Sequence, residues 1–80
     1  MSGPLCSLCK RYGEPALRYA RSGASIQQVY NVAASKCNNL GYLSGKCREI
    51  VNRNINRLYY QAKVYPWCDA NCFCSQEGYC

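Results

Sequence analysis

Apolar and polar positions alternate along this chain with a helical period in three stretches, followed by a cysteine-dense tail, and no segment shows the two-residue alternation of a half-buried strand. From Pro4 to Arg21, a turn of about 100° per residue gathers Leu5, Leu8, Cys9, Tyr12, Ala16, Tyr19 and Ala20 on one side of a helix. Lys10, Glu14, Arg18 and Arg21 fall on the other side. Pro4 suits the first turn, where its missing N–H has no partner to lose. Pro15 is different, because a proline inside a helix removes one hydrogen bond and crowds the carbonyl four residues earlier. A kink or break is therefore expected near Gly13 and Glu14.

Ser22, Gly23 and Ala24 make a turn, and Ser25 with Gln28 then fits a capping box, in which hydroxyl and amide side chains satisfy the first free N–H groups of a helix. The spacing predicts that helix from Ile26 to about Leu40, with Ile26, Val29, Tyr30, Ala33, Cys37 and Leu40 on its apolar side. Gly41 is placed as a left-handed cap. The chain then reverses into a third helix from near Ser44 to about Tyr65, with Cys47, Ile50, Val51, Ile55, Leu58 and Ala62 on one face. Lys46, Glu49, Arg53, Asn56, Arg57 and Lys63 form the opposite face. Pro66 stops or bends this helix before Trp67, and the tail from Cys68 to Cys80 is expected as a short helical turn and a loop.

Length changes the picture. A chain of 80 residues makes one domain, 1–80, and a domain this small hides only about 60% of the surface its unfolded form exposes, so its core needs reinforcement. Eight cysteines, an even number in so short a chain, point to disulfides and an oxidising compartment, hence a secreted protein in the extracellular space or a granule or vesicle lumen. Zinc is the rival use of Cys6-x-x-Cys9 and Cys72-x-Cys74. With no histidine present, a four-thiolate site would leave four cysteines unexplained, so no metal is expected.

No run of about twenty apolar residues occurs, which argues against a membrane span. The start, Met-Ser-Gly-Pro-Leu-Cys, lacks a basic segment followed by an apolar run, and Met1 and Ser2 are read as residues appended ahead of a mature domain.

Ten Lys and Arg against four Asp and Glu give a net charge of +6. That balance favours anionic partners, whether lipid headgroups, heparin-like polysaccharide, nucleic acid or acidic receptor surfaces. Nucleic acid is set aside for want of a binding motif and because of the secreted chemistry. Catalysis is not expected: with Glu14, Glu49, Asp69 and Glu77 as the only carboxylates and the cysteines oxidised, no acid–base pair or activated nucleophile assembles, and no cofactor motif occurs.

A disulfide requires Cα atoms roughly 4.4 to 6.8 Å apart, so cysteine spacing says which helices touch. Cys37 and Cys47 flank the reversal between the second and third helices, where one bridge would clamp it. Cys6 and Cys9, one helical turn apart, would staple the two ends together through Cys74 and Cys80. This layout resembles the saposin-like family, most closely its short single-domain membrane-active members of the amoebapore and NK-lysin type, over nearly the whole span from Cys6 to Cys80.

The resemblance implies an all-α, disulfide-stapled, saposin-like bundle of four to five helices, leaf-shaped and hinged at its turns. It also implies the pairs Cys6–Cys80, Cys9–Cys74 and Cys37–Cys47. Cys68 and Cys72 are extra to the family's six; they pair with each other, or else Cys72 takes Cys9 and Cys68 takes Cys74. Pro15 and the tail after Pro66 also depart from the family pattern.

What the resemblance implies for function is a cationic, lipid-binding protein that attaches to anionic phospholipid membranes and permeabilises them or extracts lipid, an antimicrobial type of activity. The basic surface would be Lys10, Arg11, Arg18 and Arg21 on the first helix with Lys46, Arg53, Arg57 and Lys63 on the third. The apolar surface, core when closed and lipid-facing when open, would be Leu5, Leu8, Tyr12, Ile26, Val29, Ala33, Leu40, Val51, Ile55, Leu58 and Trp67. Eight tyrosines and one tryptophan are side chains suited to a membrane interface, but also to a protein one. The apolar stripes are modest for a pore former, since Ala, Tyr and Cys fill many of their positions. The competing expectation is accordingly a toxin or effector on the same scaffold, acting on a receptor or ion channel. A homodimer or higher oligomer is compatible with either reading.

Overall fold

A computed structural model describes residues 3–80. Met1 and Ser2, read above as appended, lie outside the described residues. Among the described residues the chain is all-helical, with α1 (Pro4–Arg21), α2 (Ile26–Ser35), one 310 turn (Gly41–Leu43), α3 (Ser44–Val64) and α4 (Ala70–Gln76). None of these helices is long and apolar enough to cross a membrane. The body is flat, 32 × 26 × 16 Å.

The capping box at Ser25 forms: the Ser25 hydroxyl accepts from the Gln28 N–H, and the Gln28 side chain accepts from the Ser25 N–H. Asp69 caps α4 in the same way by accepting from the Cys72 N–H at 2.9 Å. α2 runs antiparallel to both neighbours, because Cys37 meets Cys47 and Arg11 reaches the Lys36 carbonyl. α1 and α3 lie in the same direction, with Arg21 reaching the Ala62 carbonyl.

Leu8, Tyr12, Ala16, Leu17, Val29, Ala33, Ile50, Val51, Leu58 and Phe73 are buried in one core together with Cys9, Cys37, Cys47, Cys68 and Cys74. Four disulfides join Cys6 to Cys80, Cys9 to Cys74, Cys37 to Cys47 and Cys68 to Cys72, and no cysteine is free.

Three local expectations are corrected. α1 runs unbroken through Pro15. Its flanks are pinned by the Cys9–Cys74 bridge on one side of the proline and by buried Ala16 and Leu17 on the other, so packing overrides the lost hydrogen bond. The buried arc of α1 is also rotated: Tyr19 is exposed, whereas Gly13 and Leu17 are buried because α4 crosses there, with Ala70 and Cys74 against Gly13. Finally, α2 stops at Ser35 rather than Leu40. Its end tightens into three-residue bonds, Lys36, Cys37 and Asn38 N–H groups donating to Ala33, Ala34 and Ser35 carbonyls. Asn39 and Gly41, at φ 64° and 61°, then turn the chain through the left-handed region.

Candidate functional site: the outer face of α3 and its aromatic end

In α3, residues at three- and four-residue spacing share a face, and Lys46, Arg53, Arg57, Tyr60 and Val64 therefore form a single line along its exposed side. The line ends in an aromatic ledge. Tyr60 meets Tyr65 edge-on at 6.5 Å between ring centroids, and Tyr65 meets Trp67 likewise at 5.3 Å. Edge-to-face contacts of this kind fix ring orientation. Trp67 remains 74% exposed and Tyr60 59%. Pro66 and the Cys68–Cys72 bridge follow immediately, holding the Trp67 segment close to the start of α4.

The structure divides the eight cations named above into three groups. Lys46 and Arg53 share Glu49, at 3.3 and 3.0 Å, and Arg57 pairs with Glu77 at 3.0 Å, where the Glu77 side chain is only 9% exposed. The two pairs on exposed Glu49 are worth about 0–1 kcal/mol each, so a stronger anion can displace them, whereas Arg57 answers a nearly buried carboxylate and is held more firmly.

Arg21 and Lys63 are turned inward. Arg21 donates to the Ala62, Tyr65 and Cys68 carbonyls at the C-terminus of α3, at 3.2, 3.0 and 2.6 Å. Lys63 does the same at the end of α1, donating to the Ala20 carbonyl at 2.7 Å with its ammonium 5.1 Å from the Tyr59 ring centroid. Each helix thus supplies a cation to carbonyls at or just beyond the C-terminus of the other, where the helix dipole favours positive charge.

Lys10, Arg11 and Arg18 lie exposed on α1, where Arg11 donates to the Lys36 carbonyl and Arg18 borders a shallow groove shared with Glu14, Leu17, Arg21, Asp69 and Ala70.

Of the apolar residues named above, Leu8, Tyr12, Val29, Ala33, Val51, Ile55 and Leu58 are buried, Leu5 and Leu40 are partly buried, and Ile26 and Trp67 are exposed. Ile26 borders an open groove between α2 and α3 with Tyr30 and Ile55.

The core holds one polar seam. Asn54 is buried and donates to the Ile50 carbonyl and the Tyr79 hydroxyl. The Tyr12 hydroxyl is buried beside Asn54 and Tyr79 and makes no well-formed hydrogen bond. Burial raises the Tyr12 phenol well above its ordinary range, with Tyr79 adding to the shift.

Sequence reasoning did not single out Tyr60, Tyr65, Tyr42, Lys36 and Arg48. A signal existed for the first: an aromatic three residues after Arg57 lands on the charged face, where it cannot be core. Among the described residues, no three of His, Cys, Asp and Glu gather into a metal-binding group. No protein-family model, curated protein or solved structure matches the chain.

Proposed function

We infer that this protein is a secreted, membrane-directed cationic protein that attaches to anionic lipid surfaces with α3 lying along the headgroups. The observation that carries this reading is the aromatic ledge of Tyr60, Tyr65 and Trp67, at and just beyond the end of α3, next to the cationic line of Lys46, Arg53 and Arg57 on its exposed face. Tyr and Trp favour the headgroup level, where an apolar ring and a polar edge are both satisfied. Each basic side chain near an anionic leaflet adds about 1 kcal/mol, and two weak signals on one face give attachment that neither gives alone.

The four disulfides fit an oxidising, extracellular setting. Resemblance to short saposin-like proteins supports the same reading and suggests lipid permeabilisation or extraction as its consequence. Any wider contact with acyl chains would require the packed interior to open, whereas the ledge is already outside.

Trp67 is the chain's one tryptophan, so its emission reports on the ledge directly. Phosphatidylserine-containing vesicles at low salt should shift that emission to the blue, brominated lipids should quench it, and high salt should weaken both effects. Failure of the protein to sediment with anionic vesicles at low salt would refute the reading and return attention to a receptor-directed role.

A further inference from the structure

The opposite end of α3 carries a second charged surface. The Cys37–Cys47 bridge, with its Cα atoms 5.4 Å apart, brings Lys36 and Asn38, beside one half-cystine, to the start of α3, where Arg48 follows the other. Arg11 is tied to the same place by its bond to the Lys36 carbonyl at 3.0 Å, and Arg48 is held by the Asn38 side-chain oxygen at 2.8 Å. Lys46, two residues before Arg48 and so on the opposite side of α3, shares Glu49 with Arg53. Among the described residues, Arg11 and Arg48 bond only neutral oxygens and the Lys36 ammonium has no ion-pair partner. Like charges confined by a covalent bond repel one another, and that repulsion is relieved when an anion binds.

Tyr42 projects from the apex of this crown, 92% exposed, on a turn set by the left-handed Asn39 and Gly41. Its ring face is free. Leu40 and Leu43 on either side pack back against the core, so the crown has nothing else to insert into acyl chains.

We propose that this hairpin end is a binding site for a sulfated polysaccharide. A linear chain of sulfates supplies several anions in a row, which a crown of closely held cations meets at once, and each guanidinium keeps N–H groups free for bidentate contact with a sulfate. The exposed face of Tyr42 carries the negative side of the ring quadrupole and suits the C–H edges of a pyranose. A lipid surface is the weaker fit, because the exposed aromatic cluster that would enter it is at the other end of α3. Nucleic acid is less accessible to a protein whose bridges place it outside reducing compartments.

The test is binding of a heparin-derived octasaccharide, measured by titration calorimetry in moderate salt, with the N- and O-desulfated octasaccharide as control. The K36Q/R48Q variant should bind at least tenfold more weakly than the parent protein, and Y42A severalfold more weakly. R53Q/R57Q, which removes the same charge from the outer face of α3, should change affinity less than twofold, and the desulfated ligand should not bind. Circular dichroism confirms that each variant is folded; the Tyr42 side chain lies in solvent, so Y42A probes the crown without touching the core.

Equal weakening by the two double variants would overturn the proposal in favour of diffuse charge. Equal binding of the desulfated ligand would overturn it as well. So would loss of phosphatidylserine vesicle binding by K36Q/R48Q with octasaccharide affinity intact, which would give the crown to lipid. Because Trp67 reports on vesicle attachment separately, failure here leaves the membrane reading standing, and the reverse also holds.

Discussion

Replacing Arg21 by Met keeps most of its aliphatic stem and deletes the group that holds the C-termini of α1 and α3 together. Three bonds would be lost, to the Ala62, Tyr65 and Cys68 carbonyls. A hydrogen bond from a charged donor contributes about 1.5–3 kcal/mol, but three on one partly exposed guanidinium do not add. Capping a helix C-terminus with a partly buried cation is worth up to about 2 kcal/mol. A net loss of about 2–4 kcal/mol is the expected sum, and for a domain of this size each kcal/mol lowers Tm by about 4–8 °C. Thermal and urea unfolding followed by circular dichroism, with the bridges intact, would measure it. Lys63→Met should cost about 1 kcal/mol by the same reasoning, since it loses one bond to the Ala20 carbonyl. The double variant should fall short of the sum of the two single losses, because each removal loosens the same corner. An Arg21→Met variant within about 0.5 kcal/mol of the parent, the usual effect of a surface change, would show that the clasp is incidental.

Gly13→Ala should stabilise α1 by up to about 1 kcal/mol, read as a higher urea midpoint, because the new Cβ would meet Ala70 and Cys74 at ordinary contact distances of 3.7 and 3.9 Å. Tyr12→Phe should be neutral or stabilising by about 1 kcal/mol, since the buried hydroxyl has no well-formed hydrogen bond to lose. In the parent protein the raised Tyr12 pKa means that the unfolded chain releases its proton first; stability should be constant below the free-tyrosine pKa of about 10 and fall as pH rises beyond it, and the Tyr12→Phe variant should show a flatter fall. Removing the Cys68–Cys72 bridge, with a sequence separation of 4, should cost about 2 kcal/mol, and removing Cys6–Cys80 only slightly more, about 2.5 kcal/mol, because the Cys9–Cys74 bridge that remains already closes the long loop. Chemical denaturation of the two double-alanine variants would show whether that order holds.

Much of the fold is legible in the periodicity. The buried side of α3, Cys47, Ile50, Val51, Ile55, Leu58 and Ala62, follows from spacing alone, as does the Ser25 cap, because both depend on residues within a few turns of one another. What the periodicity misses depends on distant partners. Leu17 lies near the polar side of a helical wheel and is buried only because α4 packs there. Pro15 breaks an isolated helix but not one held on both sides of it by a bridge and a core. Asn54 is tolerated on the buried side of α3 because its amide donates to the Tyr79 hydroxyl, 25 residues away, as well as to the Ile50 carbonyl.

The site was less legible than the fold. Charge and spacing place Lys46, Arg53 and Arg57 on one face, but no local signal says that Arg21 and Lys63 direct their charge at carbonyls. Tyr60 could have been noticed as an aromatic among charges. The crown of Arg11, Lys36 and Arg48 depends on tertiary contacts, Arg11 with the Lys36 carbonyl and Arg48 with the Asn38 side chain, that no local spacing signals.

The bridges between Cys6 and Cys80 and between Cys9 and Cys74 turn the intervening polypeptide into a doubly closed loop. A protease that severs any one peptide bond between Cys9 and Cys74 opens the loop but releases no fragment, because both pieces stay tied at the same corner. Such a nicked molecule stays in one piece, heavier by one water, until a thiol is added. Whether the pieces of a cut chain separate thereby depends on the redox state of the surroundings as well as on the core.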